Sequence, residues 1–334
     1  MYSDNEVISL VEQYMDSSEH PDLRAYREQT RQRDFADKGR FLWTLRYIAK
    51  IGHYRNKRIL DVGCGMGWQA FTIALLDAGN AVTAIDILPS MIDGMRECAD
   101  NMHKKRVSFN LTPMCGDICK LNFDTNTFDS IYSIEAIEHV HDMTRMIERC
   151  YSILKPGGTL ILVNDGNILN PSFRDEIVKM WNERENSWEW SEYLRSIRPI
   201  EHGDARPFAV MREEMVRAAS PKLDEHAVKA VVAATAGWLK ADIERLAINY
   251  KSGVVLPTRP THDWCRNPIT GEYAERLFDP FVLATQLREA GFRAKVGHMF
   301  RKFPLTLANF IQIRSLNRLL FNLRPHFLIY GEKI

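Results

Sequence analysis

Leu60-Asp61-Val62-Gly63-Cys64-Gly65-Met66-Gly67-Trp68 is the stretch that decides the fold. An apolar strand runs into three alternating glycines and then into a helical pattern. That order brings the backbone amides of a helix start up to a ligand with no Cβ in the way. A dinucleotide fingerprint, G-x-G-x-x-G, needs glycine at 68, where this chain has Trp68. A phosphate-binding P-loop needs Lys followed by Ser or Thr after its last glycine, and here Gln69-Ala70 follow Trp68. The turn is therefore built for something other than a pyrophosphate.

Working outward, short apolar runs at 58–62, 81–85, 128–134 and 158–163 read as buried strands. Helical stretches at 68–78, 89–102 and 142–154 separate them. Strand alternating with helix predicts a doubly wound, mostly parallel sheet with helices on both faces. Its ligands then belong at the carboxyl edge of the strands. Upstream, 4–15 and 35–51 carry helical periodicity. After Val163 the alternation stops for about 110 residues, and 174–195, 207–219 and 224–250 read as helices. The block from Phe278 restores helix then strand, and 326–331 reads as a last strand. The expected organisation is an N-terminal helical segment (1–40), an α/β domain made of 41–165 and 278–334, and a helical cap inserted at 166–277 that closes over the sheet edge.

With 334 residues, 45% of them hydrophobic, the chain can fill a large core. Its formal charge of +1 argues against a nucleic-acid partner, as does the lack of a basic groove or an N/D-P-P-Y motif. Six scattered cysteines show no C-x-x-C pair and no zinc-ligand spacing, so no metal is expected. The polar, acidic start resembles no signal peptide, and no apolar run is long enough to span a membrane. A cytoplasmic protein with reduced thiols is expected.

Three acids fall at strand ends. Asp86 closes "AVTAID" about 20 residues after the last glycine, where a carboxylate can accept both hydroxyls of a ribose. Asp117 follows at the end of a further strand, in "MCGDI", within reach of an adenine amino group. Asp61 discriminates among adenosyl ligands: its carboxylate would repel a pyrophosphate and attract a cationic, amino-bearing group. S-adenosylmethionine is such a ligand.

With those residues in place the sequence resembles the class I S-adenosylmethionine-dependent methyltransferases, over roughly 40–165 and 278–331. "ILDVGCGMGW", "VTAIDILPSMI", "CGDICKLNFDTNTFDSIYSIEAIEHV" and "ILKPGGTLILVN" stand in that family's order and spacing. The resemblance implies a seven-stranded sheet whose strand at 326–331 is antiparallel. It implies that Asp61, Gly63, Gly65 and Gly67 contact the methionine part, with Trp68 packing behind or beside it. It gives Asp86 the ribose, Ile87 an adenine face, Asp117 and Ile118 the adenine edge, and Ile134 and Glu135 the methionine side. The product would be S-adenosylhomocysteine.

Purely structural readings stand beside these. The glycines can serve strand-to-helix packing, Asp86 can cap the helix that opens at Pro89, and Asp117 can be an ordinary turn aspartate. In "SIEAIEHVHDM", His139 is a candidate base or substrate-facing group and His141 a weaker one, since imidazole titrates near neutrality. In related enzymes the first histidine is often scaffold, held by a carbonyl. His202, His262 and His298 have no partner visible in sequence, and a surface or core role is the simpler reading for each.

The acceptor is expected to be a small molecule bound by the cap. Aromatics of "MWNERENSWEWSEYL" suit either an acceptor pocket or helix packing, and Arg195, Arg198, Arg206 and Arg212 suit a phosphate or carboxylate handle. O-methylation of a sugar, lipid-linked or secondary-metabolite hydroxyl is expected. N- or C-methylation and a non-catalytic adenosyl-binding module are the alternatives. Residues 291–334 hold eight Lys or Arg against Glu332 alone, and 305–323 alternates leucines with arginines. A core-packed helix with solvated arginines is the simpler account; a basic amphipathic helix lying on a membrane, with a hydrophobic acceptor, is the other.

Overall fold

The computed structural model describes residues 2–20, 23–33, 35–197, 205–251, 255–260, 263–302, 305–311 and 313–334. Arg198, His202 and His262 lie outside the described residues. The chain divides into two compact units, one of Met1–Ile137, Asp142–Leu169 and Asp279–Ile334, the other of Glu138–His141 and Asn170–Phe278.

The first unit is built on one sheet. Its strands are β1 (Arg58–Val62), β2 (Ala81–Asp86), β3 (Leu111–Cys115), β4 (Phe128–Ile134), β5 (Leu154–Asn164), β6 (Phe292–Gly297) and β7 (Phe327–Lys333). They lie in the order β3-β2-β1-β4-β5-β7-β6. All neighbours are parallel except β7, which runs antiparallel to both β5 and β6. The order reverses at β1 and β4, so the crevice for a ligand opens at their carboxyl ends. The inner strands are apolar throughout because helices cover both faces: Ile59, Leu60, Ile131, Leu160 and Ile161 are fully buried.

Around the sheet lie α1 (Asp4–Met15), α2 (Arg24–Arg33), α3 (Lys38–Ile51), α4 (Trp68–Leu76), α5 (Pro89–Lys104) and α6 (Met143–Ile153). Helix α1 starts with a capping box, Ser3 accepting from the Glu6 amide while the Glu6 carboxylate takes the Ser3 N–H. It packs on α4 through Tyr14, stacked on Phe71 at 4.4 Å, and the Tyr14 hydroxyl donates to the Met66 carbonyl at 2.9 Å. The N-terminal helices thus belong to the compact unit that holds the glycine turn. Helix α2 has no counterpart in the sequence reading: RAYREQTRQR carries almost no apolar periodicity, and only Thr30 of it is buried.

The second unit is helical, with α7 (Pro171–Asn186), α8 (Trp188–Ile197), α9 (Phe208–Ala219), α10 (Glu225–Ala234) and α11 (Lys240–Asn249). Two long helical patterns in the sequence are each broken. The run 174–195 splits at Ser187, and 224–250 splits at Gly237, which takes φ +83 and sits where a Cβ would meet the Trp264 carbonyl at 2.9 Å. Met215, Val216, Val228, Val231, Ile243 and Ala247 form its core. Helices α12 (Pro280–Glu289) and α13 (Arg314–Leu323) return to the first unit.

Candidate functional site

The glycine turn leaves β1 in left-handed backbone, with φ +77 at Gly63 and +54 at Gly65. A Cβ on Gly63 would lie 2.3 Å from the Ala136 Cβ, and one on Gly65 2.8 Å from the Tyr26 hydroxyl. Both conformation and space therefore require glycine. The Gly63 and Cys64 amides donate to the Ile85 carbonyl at 2.9 and 3.0 Å, tying the turn to β2. Gly67 stands at the cap position of α4 with no side chain to satisfy the first amides of the helix.

Asp61 lies on β1 two residues ahead of Gly63 and is 1% exposed. Its Oδ2 accepts from the Tyr132 hydroxyl at 2.9 Å, from the residue paired with it across β1 and β4. Its Oδ1 is buried and has no hydrogen-bond partner among the described residues. Burial raises its carboxyl to about 7; the Tyr132 hydrogen bond works against that rise and the Asp86 charge adds to it. An orphaned acidic oxygen in a dry site is costly unless a cation completes it. Trp68, at the start of α4, is also buried, with its Nε1 likewise unpartnered among the described residues. Its ring lies 5.9 Å from that of Tyr26.

Asp86 binds the turn with one oxygen and its own loop with the other, accepting from the Gly65 amide at 2.8 Å and the Leu88 amide at 3.0 Å. Beside it Ile87 is 62% exposed, an apolar side chain left open at the sheet edge. Asp117 accepts from the Cys119 amide at 2.9 Å and lies 3.3 Å from the Lys120 ammonium, while Ile118 is buried. Ile134 is buried at the end of β4. Glu135 follows in left-handed backbone at φ +50 and turns across the sheet: its Oε2 accepts from the Asp165 amide at 2.9 Å and its Oε1 lies 4.0 Å from His326 Nε2. Arg40 reaches the same His326 nitrogen at 3.1 Å. Asp86 is thus bonded directly to the turn and Asp61 precedes it on β1, while Glu135 is engaged with the Asp165 amide and lies near His326.

The histidines of "EHVH" lie in the other unit. His139 Nδ1 is 3.0 Å from the Tyr273 carbonyl, with Glu138 and Glu272 at 3.8 and 3.9 Å. Burial pulls its pKa down, but Glu138, Glu275 and Glu272, with the carbonyl bond, outweigh it and raise the ring to about 9. His139 is therefore an imidazolium at neutral pH, while His141 is exposed. His298 proves to be a core histidine of the first unit, 1% exposed and paired with Asn317 Oδ1 at 3.0 Å.

Arg212 is not a free handle. Its guanidinium is 1% exposed and forks onto Glu185, and its Nε donates to the Val232 carbonyl at 3.2 Å. Arg206 pairs with Glu214 at 2.7 Å. Arg195 is half-buried. Of the cap aromatics, Trp181 is fully buried against Trp264 and donates to the Glu275 carbonyl at 2.8 Å, whereas Trp188 is 49% exposed. Sequence reasoning missed Tyr26 and Tyr132. Tyr132 was findable from strand pairing, since a buried β4 hydroxyl falls opposite Asp61; Tyr26 sits on the helix whose polar sequence gave no signal.

Residues 60–162 match the family model described as a methyltransferase domain. That match takes in about a third of the chain. The chain is similar to part of the ubiquinone biosynthesis O-methyltransferase of Coxiella burnetii, 38% identical over 116 residues, 35% of this chain and 47% of that one. It is equally similar to part of the sterol 24-C-methyltransferase of Kluyveromyces lactis, 38% identical over 116 residues, 34% of this chain and 30% of that one. The chain thus spans about half the length of the first relative it matches. A solved S-adenosylmethionine-dependent methyltransferase from Aquifex aeolicus aligns over 100% of both chains at 11% identity and a TM-score of 0.43, a likeness too loose to bear on function.

Proposed function

We propose that the chain is an S-adenosylmethionine-dependent methyltransferase that methylates a hydroxyl of a small-molecule acceptor. One observation carries the cofactor reading: Asp61 holds a buried carboxylate oxygen with no partner among the described residues, at a glycine turn that opens a helix. The residues present fit a cationic adenosyl ligand. Asp61 and the turn of Gly63, Gly65 and Gly67 would hold its amino-acid end, with Trp68 beside it. Asp86 would take the ribose hydroxyls, Ile87 one face of the adenine, and Asp117 with Ile118 its edge. Ile134 and Glu135 would line the methionine side. When bound, the ligand supplies an electrophilic methyl on sulfur.

What the protein adds is alignment and water exclusion, the larger part of the acceleration in an in-line displacement. Asp61 does this by fixing the amino group, and the rigid turn by fixing the backbone that faces it. A hydroxyl acceptor must also lose a proton. His139 is proposed to face the acceptor and His141 to be the weaker candidate; at its raised pKa, His139 positions an acceptor as a cation and turns basic only in alkaline solution. Oxygen as the target rests on the first relative's name, and the equal match to a C-methyltransferase keeps carbon as the second reading. A helical insertion, 166–277, is proposed to bind the acceptor, and the six free thiols fit a cytoplasmic setting.

Calorimetry with S-adenosylhomocysteine tests the cofactor half. Saturable binding is expected, with S-adenosylmethionine losing its methyl when acceptor is present; no binding of either would remove the proposal. His139→Ala is expected to lower turnover far more than cofactor affinity, and an equal loss of both would make His139 scaffold.

A further inference from the structure

Helix α13 faces the wrong way for a core helix. Leu316, Leu319, Leu320 and Leu323 recur at helical spacing and share one face, the row that ordinarily packs inward. The inward side chains are instead Asn317 and Phe321. Phe321 is fully buried, edge-on to Phe281 at 5.8 Å and 4.2 Å from the His298 ring. Asn317 accepts from His298 and donates to the Ile311 carbonyl. The leucines are left to solvent, Leu316, Leu319 and Leu323 being 36%, 56% and 70% exposed. Ile313 just ahead is 63% exposed, and Leu305 and Leu307 on the preceding turn are 48% and 72% exposed. The simpler sequence reading, leucines inward and arginines solvated, is thereby corrected: the inward face is satisfied by a polar–aromatic pair, and the leucine row is left over.

The charge around this row has one sign. From Ala290 to Gly331 there is no acidic residue, while Arg293, Lys295, Arg301, Lys302, Arg314, Arg318 and Arg324 are cations. Arg293, Arg301 and Arg318 have carboxylate partners in Glu332, Asp37 and Asp279. Lys302, Arg314 and Arg324 have none within ion-pair distance among the described residues. Arg314 and Arg318 reach over the Phe281 ring, at 5.6 and 6.0 Å, on the side of the helix away from the leucines. They act through the field, which in physiological salt extends about 8 Å.

We propose that the leucine row of α13, with the cations around it, docks the protein on the surface of an anionic lipid bilayer. An exposed apolar stripe supplies insertion into the headgroup boundary, and the one-signed charge supplies attraction to anionic headgroups. The contact is superficial, since no helix among the described residues is long and apolar enough to cross a membrane. It is independent of the methyl-transfer reading, because it uses none of the residues at the glycine turn.

The test is co-sedimentation of the full chain with vesicles of phosphatidylcholine alone and of phosphatidylcholine with phosphatidylglycerol in equal parts. The mixed vesicles are expected to carry down most of the protein at low salt, and the neutral ones at least about tenfold less, as charge-driven surface binding requires. The triple variant Leu316→Ser, Leu319→Ser, Leu323→Ser is expected to stay in the supernatant with an unchanged melting temperature, because those side chains are already solvated. Arg314→Gln with Arg324→Gln is expected to erase the preference for anionic vesicles. The proposal is overturned if the parent does not pellet, if the triple variant pellets as well as the parent, or if the triple variant instead dissolves a dimer seen by equilibrium sedimentation, which would mean that a second copy covers the row.

Discussion

Two buried carboxylates in this molecule are treated in opposite ways. Glu185, in the helical unit, is met by the fork of Arg212, which also reaches a backbone carbonyl. Asp61, in the sheet unit, has one hydroxyl for one oxygen and nothing among the described residues for the other. Both groups are nearly solvent-free, at 6% and 1% exposure. Burial alone therefore does not mark a site. A charge whose partner is built into the fold is scaffold; one left short of a partner is an opening for a ligand.

The comparison can be broken at either end. The largest expected effect is on the scaffold pair: Arg212→Met leaves Glu185 buried and alone, and should cost about 3–5 kcal/mol of stability, read by urea denaturation. A loss near zero would mean that Glu185 finds water or another donor, and that the two carboxylates do not differ as described. Next comes Asp86→Ala, expected to weaken S-adenosylmethionine binding by about 1.5–3 kcal/mol, the range for losing a charge-assisted hydrogen bond. Unchanged affinity in calorimetry would make Asp86 a scaffold residue of the turn.

A smaller effect follows from pH. The carboxyl of Asp61 is raised in the fold to about 7 from its ordinary 3.8, so below about 7 the folded protein holds a proton there that a cationic ligand must expel. Affinity for S-adenosylmethionine should therefore fall with pH, approaching a tenfold loss per pH unit well below neutrality. The sign for folding is the reverse: between about 4 and 7 the unfolded chain releases this proton and the folded chain keeps it, so Asp61 costs the ligand-free protein stability as pH rises through that window. Affinity that stays flat from pH 6 to 8 would place the Asp61 charge outside the binding equilibrium.

How much of this was legible in the sequence differs between the two units. The sheet was, because a fully covered parallel sheet writes its strands as short apolar runs and its turns as glycine. Asp61, Asp86 and Asp117 could be picked out because each ends such a run. The partners that make Asp61 unusual were not legible, since Tyr132 meets it only through the pairing of β1 with β4. In the helical unit the periodicity was visible but its breaks were not: a single Gly237 divides what reads as one helix. Arg212 looked like a handle because its partner, Glu185, is 27 residues away on another helix. In α13 the periodicity gave the row of leucines but not its direction, which is set by Asn317 and Phe321 filling the inward side.

The central claim is that Asp61 is left incomplete for a cationic ligand, and Asp61→Asn tests it most directly. The amide keeps the shape and an acceptor for the Tyr132 hydroxyl but removes the charge. At pH 8, calorimetry should show affinity for S-adenosylmethionine falling by at least about tenfold, ~1.4 kcal/mol, while the melting temperature of the ligand-free protein holds or rises. Affinity equal to the parent's, or a ligand-free variant that melts well below it, would show that Asp61 serves the fold and that the glycine turn holds something else.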